Sequence, residues 1–566
     1  MIKKSLPDQI ESASLWNDYI TLYKNVSIRR PIFFLLVLLL FTLLVYSVGL
    51  KNQILIGWDD GEYLTHSDIT QSIPGAGKSI FSSFYLGMYQ PLAILSFRIS
   101  YNLWGDTAWL YIFTNILLHL ANTILVYLLL KKWTANITIA LIVAFLFALH
   151  PMHVEGVVWI STRSSLLYSL FFLIGLLQYQ KYLGSSKLKD LFLTAIWFLL
   201  SLLSKSMAAT FPLILLLVDY YHKRPWNKRI VLEKIPFLIL SVIFGLVAIS
   251  ASESFGHITV LEQSYSLIDR IILILYGISF YLLKLLMPVN LSAIYAFPEM
   301  TAQGFPGWVY GSLIALVIIA VIIWKVKENR RLIIFGLLFF LVHISMVLPL
   351  FWSRIFITAD RYTYLPYVGL FLIIAWFLNR IIENKEVLSK STWNLVRLTM
   401  VMIIILLSFQ TYSRVKKWKD VPTLLGDVVE KRRSDHDMAH AYFYLGNYND
   451  VQGRENEALR YYDLTLTRNP KYLLALNNRG ILKGKKLNFQ GAISDFTTAI
   501  NFKPDYAEAW YNRGVAYYQS NQQDLACNDW NKSLQLDFIA ARTVINQYCR
   551  NNTGPNFQPP SLIKAN

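Results

Sequence analysis

Apolar runs long enough to cross a bilayer recur from Pro31 to about Tyr412, and short links rich in Lys and Arg separate them. Such runs must satisfy every backbone polar group internally, so the pattern predicts an all-α, polytopic membrane domain. Full spans are expected at roughly 31–50, 108–130, 136–149, 164–183, 189–203, 206–221, 235–251, 308–325, 332–350, 364–382 and 396–412, about eleven in all. Lys3, Lys4, Lys24, Arg29 and Arg30 precede the first run and place the N-terminus in the cytoplasm; Lys131-Lys132, the 181–189 lysines, the basic cluster from Lys223 to Lys234, Lys325 to Arg331, and Arg380 to Arg397 then alternate as the positive-inside rule requires. The stretch from about Leu267 to Met287 breaks that parity and is expected to be re-entrant or interfacial.

After Tyr412 the pattern changes to a polar one with a period of 34 residues. Gly446, Gly480 and Gly514 share one phase, Ala458, Ala492 and Ala526 a second, and Tyr462, Phe496 and Trp530 a third; Pro470 and Pro504 close two units. Small residues that let paired helices approach, with aromatics filling the gap, form the tetratricopeptide pattern of an α-solenoid. The expected organisation is a cytoplasmic segment 1–30, a transmembrane domain 31–412, a linker and first helix 413–438, an extracytoplasmic repeat domain 439–550 and a disordered tail 551–566.

Composition narrows the class. Hydrophobic residues make up 55% of the 566 and charged residues 16%. A formal charge of +18 would suggest nucleic acid in a soluble chain, but its Lys and Arg cluster in links between spans, which is topology and not nucleic-acid binding. The two cysteines, Cys527 and Cys549, lie beyond the last span, so neither a Cys-based metal site nor a disulfide framework is expected; one disulfide between them is open to the chain but not expected. The run Pro31 to Leu50 lacks a small-residue cleavage site and reads as a retained anchor.

Candidate chemistry gathers at the outer span ends. Asp59, Asp60 and Glu62 follow the first span, in a loop that runs to about Thr107 and is too long for a simple connector. Carboxylates at a membrane exit are candidates for general base work, and an ordinary acidic turn is the plain alternative. His150, His153 and Glu155 follow the third span and Arg163 opens the fourth; two imidazoles and a carboxylate at this spacing suit either a divalent ion or the lining of a cavity, against capping of a helix stopped by Pro151. Lys205 lies between two apolar runs, where a snorkelling lysine is the alternative. Arg361, with Tyr362 and Tyr364, offers a planar fork of donors suited to phosphate, unless Asp360 simply pairs with Arg361; Arg354 is a weaker companion.

Trp58-Asp59-Asp60, Tyr89-Gln90-Pro91-Leu92, His150 to Glu155 with Trp159-Ile160-Ser161, Ser204-Lys205 and Asp360-Arg361-Tyr362 to Pro366 together resemble the GT-C superfamily of membrane glycosyltransferases. Within it the chain is most similar to the transmembrane and tetratricopeptide-repeat O-mannosyltransferases and their bacterial homologues, in domain order as well as motifs, though with a shorter repeat array. The resemblance implies transfer of a sugar, a hexose such as mannose, from a polyprenyl-phosphate carrier to a hydroxyl, protein Ser or Thr, at the extracytoplasmic face. Asp60 or Asp59 would be the general base, and Arg361 with Lys205, Arg163 and Tyr362 would hold the donor phosphate. Glu155 takes the superfamily's second acidic position, where His153-Val154-Glu155 replaces Asp-x-Asp and leaves a divalent metal open; no organic cofactor is implied. The acceptor, a protein or glycan, would lie on the concave face of the repeats, with membrane lipid around the spans and no nucleic acid involved. The short array and retained anchor suggest a bacterial inner (plasma) membrane with the repeats in the periplasm. The alternatives are a transferase modifying a lipid or surface glycan, and a repeat-bearing scaffold with no activity.

Overall fold

The computed structural model describes residues 29–64, 76–254, 259–260, 265–301, 303–349, 352–353, 356–431, 434–549 and 560–563; Lys3, Lys4, Lys24 and Arg354 lie outside them. Two compact units emerge. One comprises the described residues through Ile54 and from Glu62 to Asp420; the other comprises Leu55–Gly61 and the residues from Val421 onward.

Every run expected to span is helical in the first unit. Seven helices are long and apolar enough to cross a bilayer among the described residues, and the pair Ile137–Leu149 and Pro151–Val158, bent by 54°, makes an eighth if it is one span. The three remaining expected spans are the shorter helices Leu188–Ser204, Phe211–Tyr221 with its preceding 3-10 turn, and Tyr367–Glu383. Burial separates perimeter from core: the apolar windows of Lys228–Ser254, Gly307–Lys325 and Lys390–Lys417 are 11% buried, that of Ile160–Ser185 72%. Exposed faces bearing Leu246, Ile314, Ile322 and Leu406 suit lipid and would be unstable in water. Arg330–Ile344 and Tyr367–Glu383 cross where Gly336 and Gly369 meet, and no Cβ fits at either position. This is close backbone packing through small residues.

The segment expected to be re-entrant or interfacial is one unbroken helix, Leu267–Leu286, opened by a reciprocal cap between Ser266 and Asp269. Its chain does not turn back, which removes the re-entrant alternative. One face packs Leu273 with Phe305, Val309 and Ile357, while Ile268, Ile271 and Leu286 are exposed, an amphipathic pattern that suits an interfacial helix. At the far ends of the helices Phe211–Tyr221 and Lys228–Ser254, Lys234 pairs with Asp219 at 2.7 Å, both 1% exposed, and Arg224 pairs with Glu233 at 2.6 Å. Arg229 also pairs with Glu233 at 3.0 Å, so three of the five basic residues from Lys223 to Lys234 are ion-paired.

The second unit stacks the helix pairs Asp435–Val451 with Glu455–Arg468, Leu473–Lys485 with Phe489–Phe502, and Ala507–Gln519 with Gln523–Gln535, flanked by Val421–Lys431 and Ala540–Tyr548. A Cβ built on Gly446, Gly480 or Gly514 would lie 2.5, 2.7 or 2.6 Å from the ring of Tyr462, Phe496 or Trp530. The glycine phase therefore exists to admit the aromatic phase. Two expectations are corrected. Cys527 and Cys549 form a disulfide, Cα–Cα 5.8 Å, because the last two helices bring their backbones together. Within the tail expected to be disordered, Pro560–Ile563 is ordered, with the Ile563 backbone hydrogen-bonded to Asn512.

Leu55–Gly61, from the first loop, belongs to this repeat unit. The Trp58 ring stacks on Tyr444 of the first repeat at 5.0 Å and 8°. Gly57, at φ +85°, lies so close to the Tyr448 backbone that a Cβ would be 3.0 Å from its nitrogen, and both constraints demand glycine. The first loop and the repeats consequently share one side of the membrane.

Candidate active site

Pro151 ends the helix Ile137–Leu149, and the chain reaches the next long helix through three short turns, Pro151–His153, Val154–Val158 and Ile160–Thr162. Glu155 sits in the first turn of the middle one, 1% exposed. A fourth turn, Asp360–Thr363, lies against it and is closed by Thr363 Oγ1 donating to Asp360 O at 2.8 Å. The Arg361 backbone N–H donates to Glu155 Oε2 at 3.1 Å, and its guanidinium forms a short ion pair with Oε1. That guanidinium lies over the rings of Trp159, at 5.1 Å, and Tyr362, at 4.9 Å, with the side chain 18% exposed. A fork fixed in position and orientation, and partly exposed, is of a kind suited to a phosphate.

Asp360 is not the partner of Arg361. Its carboxylate accepts from Tyr295 at 2.8 Å and lies 3.7 Å from the guanidinium of Arg414, whose side chain is 5% exposed. The reason is direction: adjacent residues in a tight turn point apart, so each finds its own counter-ion. Burial pushes the Asp360 carboxyl up, against the pull of Arg414. Arg414 lies over Trp418, which stacks on Trp159, so both ion pairs share one aromatic wall. Sequence reading missed Arg414, Trp418 and Tyr295; the one local signal was an Arg and a Trp closing the last span.

The metal reading does not fit these residues. His150 Nε2 contacts Leu285 O at 3.1 Å, His153 Nδ1 contacts Phe147 O at 2.8 Å, and Glu155 is held by Arg361. Backbone partners fix the two imidazoles where they are, and among the described residues no group of three His, Cys, Asp or Glu could hold a metal ion. Both rings pack instead against Tyr367 and Phe371, beneath the turn carrying Glu155.

Arg163 is 1% exposed and spends its donors inside the protein: Nε on Asn115 at 2.9 Å, Nη1 on Ser100 at 2.8 Å and Nη2 on Tyr111 O at 3.0 Å, with Phe97 beneath it. It ties together the helices Pro91–Trp104, Ala108–Thr134 and Arg163–Ser185. Lys205 follows Leu188–Ser204 and donates to Ser165 at 2.7 Å, partly exposed. Tyr362 is buried beside Arg361, its hydroxyl 3.5 Å from Nη2.

Of the first-loop acids, Asp59 and Asp60 belong to the repeat unit and Glu62 to the membrane unit. Asp59 and Asp60 open the helix Asp59–Leu64. Asp60 is 1% exposed and its Oδ2 accepts from Leu55 N at 3.1 Å; Asp59 is partly exposed. Trp58 anchors both to the first repeat.

These features define a polytopic α-helical membrane protein with a C-terminal tetratricopeptide array, and family models described as TPR repeat and tetratricopeptide repeat match residues 488–521 and 507–538. Along most of its length the chain is similar to the TMTC-type protein O-mannosyl-transferases. It is 25% identical over 409 residues to a protein O-mannosyl-transferase of Caenorhabditis elegans, covering 70% of this chain and 56% of that protein. It is 20% identical over 541 residues to protein O-mannosyl-transferase TMTC3 of Homo sapiens, covering 79% and 57%. A shorter match reaches 39% over 122 residues of protein O-mannosyl-transferase tmtc2 of Xenopus laevis, covering 22% and 13%. The chain spans about half the length of the relatives it matches most widely.

Proposed function

We propose that this protein transfers a mannose or related hexose from a polyprenyl-phosphate carrier to Ser or Thr hydroxyls of a protein, at the extracytoplasmic face of a bacterial inner membrane. The observation that carries the reading is the joining of the first-loop carboxylates to the repeat array through Trp58 and Tyr444. A general base needs to reach the acceptor hydroxyl, and a solenoid is a natural platform for an extended acceptor. The names of the relatives support the sugar and the protein acceptor. In this reading Asp60, with Asp59 beside it, takes the proton from the acceptor hydroxyl as its oxygen attacks the anomeric carbon. The sugar–phosphate bond breaks, and charge developing on the lipid phosphate is met by Arg361, helped by Lys205 and Tyr362. Arg163, already committed to protein acceptors, braces the helices around them.

Transfer of radiolabel from polyprenyl-phosphate mannose, glucose or another hexose to proteins tests this directly, with wild type compared against Asp60→Asn and Arg361→Ala. The expected outcome is transfer by wild type and a loss of about a hundredfold or more in both variants, with the proteins still folded. Unchanged transfer in both would remove the site assignment, and no transfer from any donor would leave a scaffold; label recovered in lipid or glycan would redirect the acceptor.

A further inference from the structure

The helix Ala108–Thr134 starts where the first loop ends, and the next helix, Ile137–Leu149, leads back to the turn carrying Glu155. The corner between these two helices is therefore at the opposite end of the membrane unit from the candidate active site. There Trp133 is 4% exposed, and its indole Nε1 has no hydrogen-bond partner. Its ring meets Phe335 edge-on at 5.1 Å, and Phe335 packs in turn on Tyr221 at 4.8 Å. Tyr221 contacts His222 at 5.3 Å, where the helix Phe211–Tyr221 ends. One turn before Phe335, Arg331 lies over the ring of Tyr220 at 5.1 Å. His222 Nε2 and Arg331 Nη1 are also shielded from solvent and lack hydrogen-bond partners. Three helix ends thus bring an indole, an imidazole and a guanidinium around one aromatic corner, each with an unmet polar atom.

Buried donors left unmet are costly, a charged one most of all. A phosphate matches these three: its oxygens accept, Trp Nε1 and the guanidinium only donate, and an imidazole donates from Nε2 in one of its tautomers. The surroundings carry the matching sign. Lys131, Lys132, Lys223 and Arg330 flank these residues in sequence, and the first-turn amides of Arg330–Ile344 add partial positive charge. Asp219 and Glu328, the acids nearest in sequence to His222 and Arg331, are ion-paired with Lys234 and Arg380. Exposed Ile334, Leu338 and Leu341 continue from Arg331 along one face of its helix. A lipid can set its phosphate on the donors and its chains along that stripe, whereas a free phosphate gains nothing from it.

We propose that Trp133, His222 and Arg331 form a binding site for a phosphate group, carried by the headgroup of an anionic phospholipid, at the membrane face opposite the first loop. The site takes no part in the transfer reaction, so each of the two readings stands or falls without the other.

The test is native mass spectrometry of the detergent-solubilised full-length chain with dioleoyl phosphatidic acid, with dioleoylglycerol, which has the same chains and no phosphate, and with inorganic phosphate. One phosphatidic acid should bind at least about tenfold more tightly than dioleoylglycerol, a comparison that needs no variant. Trp133→Phe keeps an aromatic ring, removes the indole donor, and should weaken phosphatidic acid about threefold or more. Arg331→Gln should weaken it about tenfold or more. Arg397→Gln removes an exposed arginine that lies over Trp393 on another helix, and should change it less than about twofold. Inorganic phosphate binding as tightly as the lipid would support the site and make soluble phosphate its ligand. Equal affinity for phosphatidic acid and dioleoylglycerol, no change in Trp133→Phe, or the same loss in Arg397→Gln as in Arg331→Gln would overturn the proposal.

Discussion

A guanidinium stays charged even in a membrane protein, and it serves a phosphate best when a fixed partner holds it oriented and in place. Glu155 does this for Arg361, taking its backbone N–H and its side chain at once. Under the proposed transfer reaction Glu155 is a positioning residue, and Glu155→Gln is expected to lower kcat about tenfold to a hundredfold while KM for the lipid donor moves less than about threefold, since displacement of a catalytic group by an ångström costs on that order. Glu155→Asp should recover part of the loss. A Gln variant with normal kcat would sink the assignment, and one that loses only KM would make Glu155 a binding group. Both residues were visible in the sequence as polar groups at span ends, but their pairing joins positions 206 apart. No local pattern encodes such a contact. Arg414 was harder still, because in sequence it is one of several basic residues closing the last span. Only packing separates it from Lys416 and Lys417.

At the scale of elements, two kinds of close approach hold the fold. In the repeats, glycine admits an aromatic ring; in the membrane unit, Gly336 and Gly369 admit one another's backbone. A ring can shift by a few tenths of an ångström, whereas two helix backbones cannot do so without moving the helices. Gly336→Leu is therefore expected to cost about 3 kcal/mol or more and to lower the Tm of the detergent-solubilised protein by several degrees. Gly311→Leu, at a position with open space around it, should leave Tm within a degree or two. Equal Tm for the two variants would show that the helices do not cross at this point. The repeats were legible because periodicity restates the same contact every 34 residues, and the helices were legible because the bilayer demands long apolar runs. The Gly336–Gly369 crossing was not, since a lone glycine in an apolar helix looks the same whether it packs or not. Residues 560–563 were misread because their order depends on Asn512, half a repeat array away, and their own composition carries no sign of it.

At the scale of the molecule, the placement of the repeats turns on a count of crossings that hydropathy leaves open at Leu267–Leu286. The stacking of Trp58 on Tyr444 constrains its parity, because an indole and a phenol in contact lie on the same side of a membrane. An even number of crossings must separate Asp60 from Val421, as the ten expected spans between them provide once Leu267–Leu286 lies at the interface. By the positive-inside rule the basic N-terminus is expected to set that shared side outside the cytoplasm, and the Cys527–Cys549 disulfide suits an oxidising compartment. In sealed spheroplasts an impermeant protease should then remove the repeats without lysis. A maleimide reagent added under denaturing conditions should label Cys527 and Cys549 only after reduction. Repeats protected until lysis, with both thiols free, would place them in the cytoplasm. The first loop, packed on the first repeat, would then lie in the cytoplasm with the repeats, and the reading of transfer at the extracytoplasmic face would fail at its root.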